Sequence, residues 1–511
     1  MLAGSLLRVA VRSTLLTACI QGQPVANDYF LSGISAYQAG DLQRAHDHFS
    51  QCLELDAKRT DCMTNLASVL VDLGKEQEAE ELYLAVLSVE PEQLDAAYNL
   101  ALMLQDRRDE PDSIRRACAL YTQVVKNDPT RWDAWANLAA AASESTGLDP
   151  LLPPHAYQRA IVEMERAHEA SPGSEPPPHE VEILSKLYYG YGIQLGQLSA
   201  TQCQEFAEDK QSLLIGVGAD GRADDGSKIT DNSVCQENAQ NALRTAMDLD
   251  PNNAQAEHML ASMTAASSGD GSSVSKASAG YVKALFDDFS DSFDEKLAAL
   301  GYVVPELVGQ ATAHYVEKRR GGKPFVHALD AGCGTGLAGP YLRPLVTGML
   351  SGVDLSAKML AKAATLKTED GGVPIFDRLL AKDLLELRRD DVLPKTDPLA
   401  AGQERPAGVE LVTAADVLVY FGDLKPLIQT FTDLMSTSGT LIFSCERVSD
   451  EEAPNGWMLR SSGRFAHTKK YVLDLAARVG GFYLVDYKEI VPRTEYGKPV
   501  QGHLFVFARG H

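Results

Sequence analysis

At 511 residues, with 45% hydrophobic and 23% charged side chains, the chain has the composition of an ordinary folded protein and the length for two or three domains. Its formal net charge of −23 argues against a phosphate-binding surface, so no nucleic-acid partner is expected. The eight cysteines, at 19, 52, 62, 118, 203, 235, 333 and 445, form no C-x-x-C pair. Neither a zinc site nor a disulfide framework is indicated, and reduced thiols and no metal are expected.

The first 27 residues carry Arg8 and Arg12 but no Asp or Glu, which fits an organelle presequence over residues 1–26. Mitochondrial or other organellar targeting is the expectation, with the cytoplasm as the alternative. Without an uninterrupted apolar stretch of about 20 residues elsewhere, no membrane span is expected.

Gly40 and Gly74 are 34 residues apart, as are Ala45 and Ala79, and Phe49 and Tyr83. A 34-residue period in these residue types is the tetratricopeptide signature: small residues let paired helices approach, large ones fill the groove, and glycine turns between helices. The pattern predicts an α-solenoid over residues 27–264. Ala101, Ala117 and Tyr121 mark a third repeat and Leu138, Ala139 and Ala160 a fourth. A fifth is split by a Gly- and Asp-rich excursion near 216–231, and the helix from Ala254 is expected to cap the stack. Such a solenoid offers a groove for a protein partner or protein substrate. Residues 265–279, rich in Ser and Gly, read as a flexible tether.

Residues 280–511 alternate apolar strands with helical segments, the pattern of a doubly wound α/β sheet. At its start, apolar residues at 282, 285, 286, 289, 293 and 297 recur at helical intervals, which suits a core-facing amphipathic helix. Val326-His-Ala-Leu-Asp-Ala-Gly-Cys-Gly-Thr-Gly336 then runs from a buried strand through Asp330 into glycines at 332, 334 and 336, where a ligand can approach the main chain. A second strand ends at Asp354, placed to grip the two hydroxyls of a ribose. Because Gly334, Gly336 and Gly339 also satisfy G-x-G-x-x-G, spacing alone does not separate NAD from S-adenosylmethionine.

Beyond a later strand, Asp416 and Tyr420 emerge where an open sheet carries its active site, and could orient or deprotonate an acceptor; Asp416 could instead cap a helix. The fifth strand ends at Glu446, with Arg464 and His467 within reach, His467 being a catalytic candidate although a lone histidine is more often structural.

Leu329-Asp-Ala-Gly-Cys-Gly-Thr-Gly336 resembles the first motif of class I S-adenosylmethionine-dependent methyltransferases, and Leu285-Phe-Asp-Asp-Phe289 and Ala414 to Leu424 resemble the tetratricopeptide-repeat-containing members of that family. The resemblance implies a Rossmann-like seven-stranded sheet closed by an antiparallel hairpin, formed by strands at 483–491 and 500–507 around a turn with Gly497 and Pro499. It implies S-adenosyl-L-methionine as cofactor, with Asp330 and Gly332, Gly334 and Gly336 at its methionine and ribose end and Asp354 at the ribose diol. Asp383 would contact the adenine amino group, or cap a helix, and the aromatic segment at 281–297 would act as a lid.

The expected function is methyl transfer to an unidentified protein or small-molecule acceptor, the repeats recruiting partner or substrate. Two alternatives stand beside it: a repeat scaffold or assembly factor with a non-catalytic cofactor domain, which predicts donor binding without turnover, and an NAD-dependent oxidoreductase, which predicts parallel strands to the sheet's end.

Overall fold

The computed structural model describes residues 24–107, 112–145, 147–169, 176–209, 212–218, 220–224, 226–268, 271–272, 274–368, 371–393, 408–495 and 498–510. Nearly all of the expected presequence, and Gly497, lie outside the described residues. The chain divides into two compact units, at Pro251/Asn252. Among the described residues no helix is long and apolar enough to cross a membrane.

The first unit is a stack of antiparallel helix pairs: α1 (Pro24–Gln38) with α2 (Leu42–Leu55), α3 (Thr60–Asp72) with α4 (Glu76–Val89), α5 (Leu94–Asp106) with α6 (Ser113–Asn127), and α7 (Trp132–Glu144) with α8 (Leu152–Glu169). Gly40 (φ 77°) and Gly74 (φ 75°) turn the chain within the first two pairs, in a conformation that disfavours a side chain. Ala45, Ala79 and Ala117 are fully buried, and Phe49, Tyr83 and Tyr121 fill the space beside them. A Cβ at Gly33 would stand 2.6 Å from the Phe49 ring, so that helix contact needs a glycine. The fifth pair joins α9 (Pro178–Gly196) to α11 (Ser233–Leu249), with α10 (Ala200–Glu208) and the Gly- and Asp-rich excursion inserted between them. Ser185 Oγ donates to Ala246 O at 2.7 Å across this pair.

Two disulfides correct the expectation of reduced thiols: Cys52–Cys62 and Cys203–Cys235. Each joins two helices whose packing brings distant cysteines together, a juxtaposition that sequence spacing does not reveal. Cys118, Cys333 and Cys445 are free and buried.

The second unit begins with α12 (Ala254–Ser268), α13 (Ala279–Phe289), α14 (Phe293–Ala299) and α15 (Val304–Arg319). Its strands are β1 (Ala328–Ala331), β2 (Leu350–Asp354), β3 (Arg378–Ala381), β4 (Val409–Ala414), β5 (Met435–Arg447), β6 (Trp457–Leu459), β7 (Phe465–His467), β8 (Phe482–Ile490), β9 (Thr494–Glu495), β10 (Lys498–Pro499) and β11 (Gly502–Arg509). The main sheet runs β3-β2-β1-β4-β5-β11-β8, with the short β6 and β7 extending from the end of β5. The first five of these strands are parallel, whereas β11 is antiparallel to both β5 and β8. This is the seven-stranded order that the methyltransferase resemblance implies, and the antiparallel end contradicts the oxidoreductase expectation.

Strand alternation sends successive side chains to opposite faces. Leu441 and Phe443 join Leu329, Val412, Phe431 and Phe505 in one apolar layer, while Ile442 joins Leu350, Leu411, Val304 and Val308 in the other.

Two expectations are corrected here. The helix from Ala254 belongs to the second unit rather than capping the repeats: the ring of His258 bonds Gly463 O at 2.8 Å and stacks on Tyr281 at 4.0 Å, and Ser262 Oγ donates to Arg460 O at 2.6 Å. The expected tether at 265–279 starts inside α12, and its described end is held by backbone hydrogen bonds: Ser275 O accepts the N–H groups of Gly422 and Asp423, each at 2.8 Å, and Ala277 N–H donates to Tyr420 O at 2.9 Å. Ser- and Gly-rich composition is equally compatible with a free linker and with a strap held to its neighbour by main-chain hydrogen bonds.

Candidate functional site

The parallel strands β1, β2 and β4 deliver Asp330, Asp354 and Asp416 to one end of the sheet, where all three line a single cavity. Crossing out of β1, the chain places Gly332 (φ 70°), Gly334 (φ 54°) and Gly336 (φ 91°) in the left-handed region. These glycines differ in what surrounds them. A Cβ on Gly332 would meet Val417 Cγ2 at 2.4 Å, and one on Gly336 would meet Leu366 Cδ1 at 2.7 Å. A Cβ on Gly334 would meet only Phe293 Cε1, at 3.8 Å, an ordinary van der Waals contact, so that main chain is uncrowded.

Asp330 is buried, and accepts a hydrogen bond from Thr413 Oγ1 at 2.9 Å through Oδ1, while Oδ2 is buried without a partner. Burial, helped by the nearby Asp354, pushes its pKa up to about 7. Asp354 accepts Gly334 N–H through Oδ2 and Ser356 N–H through Oδ1, both at 2.9 Å. Burial raises its pKa too, against the N–H groups of Ser356, Gly334 and Leu355. Asp383 lines the same cavity and caps a short turn, accepting Leu385 N–H at 2.9 Å.

The aromatic segment forms α13, a short turn and α14, and puts Val282, Phe286, Phe293 and Leu297 on the cavity wall. Side-chain hydroxyls fasten it to the segments that follow β1 and β2. Thr335 Oγ1 donates to Asp294 Oδ1 at 2.5 Å, and Ser356 Oγ to Asp287 Oδ1 at 2.6 Å.

Asp416 follows β4 with φ 59°, the one non-glycine residue at positive φ among the described residues. Its N–H donates to Ser444 Oγ at 2.8 Å, and it caps no helix. Its Oδ2 accepts Arg493 Nη1 at 3.0 Å, and its Oδ1 is buried without a partner. Arg493, only 1% exposed, also bonds Glu446 Oε1 at 2.5 Å and Glu495 Oε1 at 2.8 Å. Arg464 Nη1 lies 3.6 to 3.9 Å from carboxylate oxygens of Asp416, Glu446 and Glu495, with no hydrogen bond to any, and Arg464 lines the cavity. Burial raises the pKa of Glu446.

Tyr420 lines the cavity, with its ring edge-on to Phe286 at 5.6 Å. Burial raises its pKa and that of the neighbouring Tyr302, so both phenols stay protonated at neutral pH. Tyr420 is therefore a neutral hydrogen-bonding group and not a base at neutral pH.

His467 is a correction: it does not line the cavity. It sits on β7, fully buried, with its ring bonded to Gly422 O at 3.1 Å and stacked on Tyr471. Desolvation drops its pKa to about 4, so it is a neutral packing residue. Arg493 and Glu495 escape sequence reading altogether. They follow β8, far along the chain from Asp416, in a stretch with no motif.

Comparison with known proteins agrees with the repeat pattern. A tetratricopeptide repeat family model matches residues 36–104. The chain is 27% identical over 114 residues to photosystem I assembly protein Ycf3 of Synechococcus sp. strain CC9311, and 28% to that of strain CC9605, covering 20% of this chain and 66% of each relative. The chain thus spans just under two thirds of the length of these curated relatives.

Among solved structures, the chain is similar to magnesium protoporphyrin IX methyltransferase from Synechocystis PCC 6803 with bound SAM, at 16% identity over 40% of this chain and 79% of that one, TM-score 0.28. It is similar also to 1,6-didemethyltoxoflavin-N1-methyltransferase of Burkholderia thailandensis, at 18% identity over 45% and 89% of the two chains, TM-score 0.32. A third similarity is to the [4+2]-cyclase SpnF, at 15% identity over 39% and 81%, TM-score 0.30. The repeat match is confined to residues 36–104, and the second unit is an α/β sheet of five parallel strands with an antiparallel end.

Proposed function

We propose that the second unit binds S-adenosyl-L-methionine and transfers its methyl group to a small molecule held beside Asp416 and Tyr420, while the repeats engage a protein partner. The observation that carries this reading is the unpaired Oδ2 of Asp330 beside a left-handed glycine loop, with Asp354 at the next strand tip in the same cavity. These residues fit the donor. Asp330 Oδ2 is an acceptor for its ammonium group, the uncrowded main chain at Gly334 allows close approach, and Asp354 keeps lone pairs for the ribose hydroxyls beyond those used by Gly334 and Ser356. Asp383 is the candidate for the adenine amino group. When bound, the donor supplies an activated methyl on sulfur, and the chain's own work is to align a nucleophile and keep water out. The apolar wall of Val282, Phe286, Phe293 and Leu297 serves that exclusion.

The test is calorimetric titration of the full chain with S-adenosylmethionine, S-adenosylhomocysteine and NAD, repeated on Asp354→Ala. Saturable binding of the first two, lost in the variant, supports the reading. Binding of neither removes it and leaves the repeats as the functional part of the chain. Binding without turnover on any acceptor would favour a scaffold with a non-catalytic cofactor domain.

A further inference from the structure

We propose that the methyl acceptor is a neutral molecule with an apolar skeleton that presents a hydroxyl group, held between the Asp416 carboxylate and the Arg464 guanidinium and methylated on oxygen. The proposal rests on the reading of the second unit as a methyltransferase.

Two polar atoms on this side of the site lack a hydrogen-bond partner, Asp416 Oδ1 and Arg464 Nη1, and both residues line the cavity. One is an acceptor and the other a donor. Their groups are neighbours, with Arg464 Nη1 3.6 Å from the other oxygen of Asp416. An acceptor and a donor side by side on a cavity wall, neither engaged by the chain itself, suit a ligand group that complements both. Such a group has one hydrogen to give to Asp416 and one lone pair to offer Arg464. A hydroxyl has both. A carboxylate has no hydrogen for Asp416, and an ammonium has no lone pair for Arg464.

The charge balance agrees. Asp416, Glu446 and Glu495 face Arg464 and Arg493, so with all five ionised the cluster carries one net negative charge, and with Glu446 protonated it carries none. Neither balance offers an anion a compensating charge. The remaining walls, from Phe286, Tyr302, Tyr420 and Phe421, suit an apolar or aromatic skeleton. Asp416 stands in a strained backbone conformation, and its second oxygen is tied to Arg493, so its free oxygen has little freedom to turn elsewhere. In the transfer, the hydroxyl oxygen forms a bond to the methyl carbon as the carbon–sulfur bond breaks, its electron pair staying on sulfur, and the hydroxyl proton passes to Asp416 Oδ1.

The experiment uses the full chain and four probes that share one skeleton: benzyl alcohol, benzoate, benzylamine and toluene. Each is titrated by calorimetry in the presence of saturating S-adenosylhomocysteine, whose own binding is measured first. The alcohol is expected to bind about tenfold more tightly than the other three, and to lose that advantage in both Asp416→Asn and Arg464→Gln. The binding of S-adenosylhomocysteine in each variant shows that it is folded. Tightest binding by benzoate, benzylamine or toluene, equal binding by all four, or binding by none overturns the proposal while leaving the methyltransferase reading intact. An alcohol preference that survives in both variants overturns the assigned residues. Absence of S-adenosylhomocysteine binding removes both readings together.

Discussion

Arg493 Nη1 lies 3.0 Å from Asp416 Oδ2, and the same buried guanidinium reaches Glu446 and Glu495, so one cation anchors the carboxylates contributed by three segments of the second unit. Removing it leaves those carboxylates with Arg464 alone, whose nearest nitrogen is 3.6 Å or more away. Arg493→Met should destabilise the second unit by roughly 3–5 kcal/mol, the usual penalty for breaking a buried charge cluster. Denaturant unfolding monitored on the full chain checks it, and a loss below about 1 kcal/mol would contradict the central place given to this residue.

The glycine loop makes a graded prediction. Gly332→Ala combines a left-handed φ with a 2.4 Å approach to Val417, whereas Gly334→Ala has the φ penalty without a clash. The first should cost about 2–4 kcal/mol of stability and the second about 1 kcal/mol. Donor titration should still suffer in the second variant, because its new methyl group enters the cavity. Equal destabilisation by the two would show that the packing against Val417 is unimportant.

Two kinds of buried group pull the pH dependence of stability in opposite directions. Asp330, raised to about 7, favours the fold when protonated; that contribution is complete below the ordinary carboxylate range and is lost as pH rises through 7, about 4 kcal/mol in all. His467 and His503, both lowered to about 4, favour the fold when neutral; their contribution is complete above about pH 6.5 and is lost as pH falls through 4. Asp330→Asn should therefore raise the melting temperature more at pH 8 than at pH 5, while His467→Gln should help more at pH 5 than at pH 8. Melting curves at the two pH values decide both. Under the proposed function, donor affinity should also tighten as pH rises through 7, since only the ionised Asp330 attracts an ammonium group.

The disulfide Cys203–Cys235 closes a loop of 32 residues across the inserted segment of the repeats. By loop-closure entropy, reduction should lower the stability of the first unit by about 3–4 kcal/mol. Unfolding with and without reductant measures this, alongside mass spectrometry of the alkylated protein. Free thiols at all four positions in protein isolated without reductant would show that the pairs do not form.

The parts of the fold legible in the sequence are those whose cause is local. The 34-residue spacing of Gly40 and Gly74 marks repeats because each glycine must adopt a left-handed turn, and Gly332, Gly334 and Gly336 announce a strand turning sharply for the same reason. Asp330 and Asp354 are readable because they sit at strand tips. Arg493 is not readable, since its meaning comes from Asp416, 77 positions earlier in the chain. The strap at 274–278 is hidden for another reason: its hydrogen bonds to the 420–423 segment are made by main-chain atoms that every residue type carries. His467 misled because β6 and β7, three residues each, are too short to leave a periodic trace, yet they turn its ring into the interior.

That strap also decides where this protein can be cut. A fragment begun at residue 280, where the composition changes, would discard Lys276 and Ala277 from the cavity wall and strip Tyr420 O, Gly422 N–H and Asp423 N–H of their partners. A fragment begun at Asn252 keeps them, together with the His258 stack on Tyr281. A piece that keeps both the cavity wall and the packing behind it therefore starts well before the composition change, and the doorframe of the cavity is built from chain that composition marks as spacer.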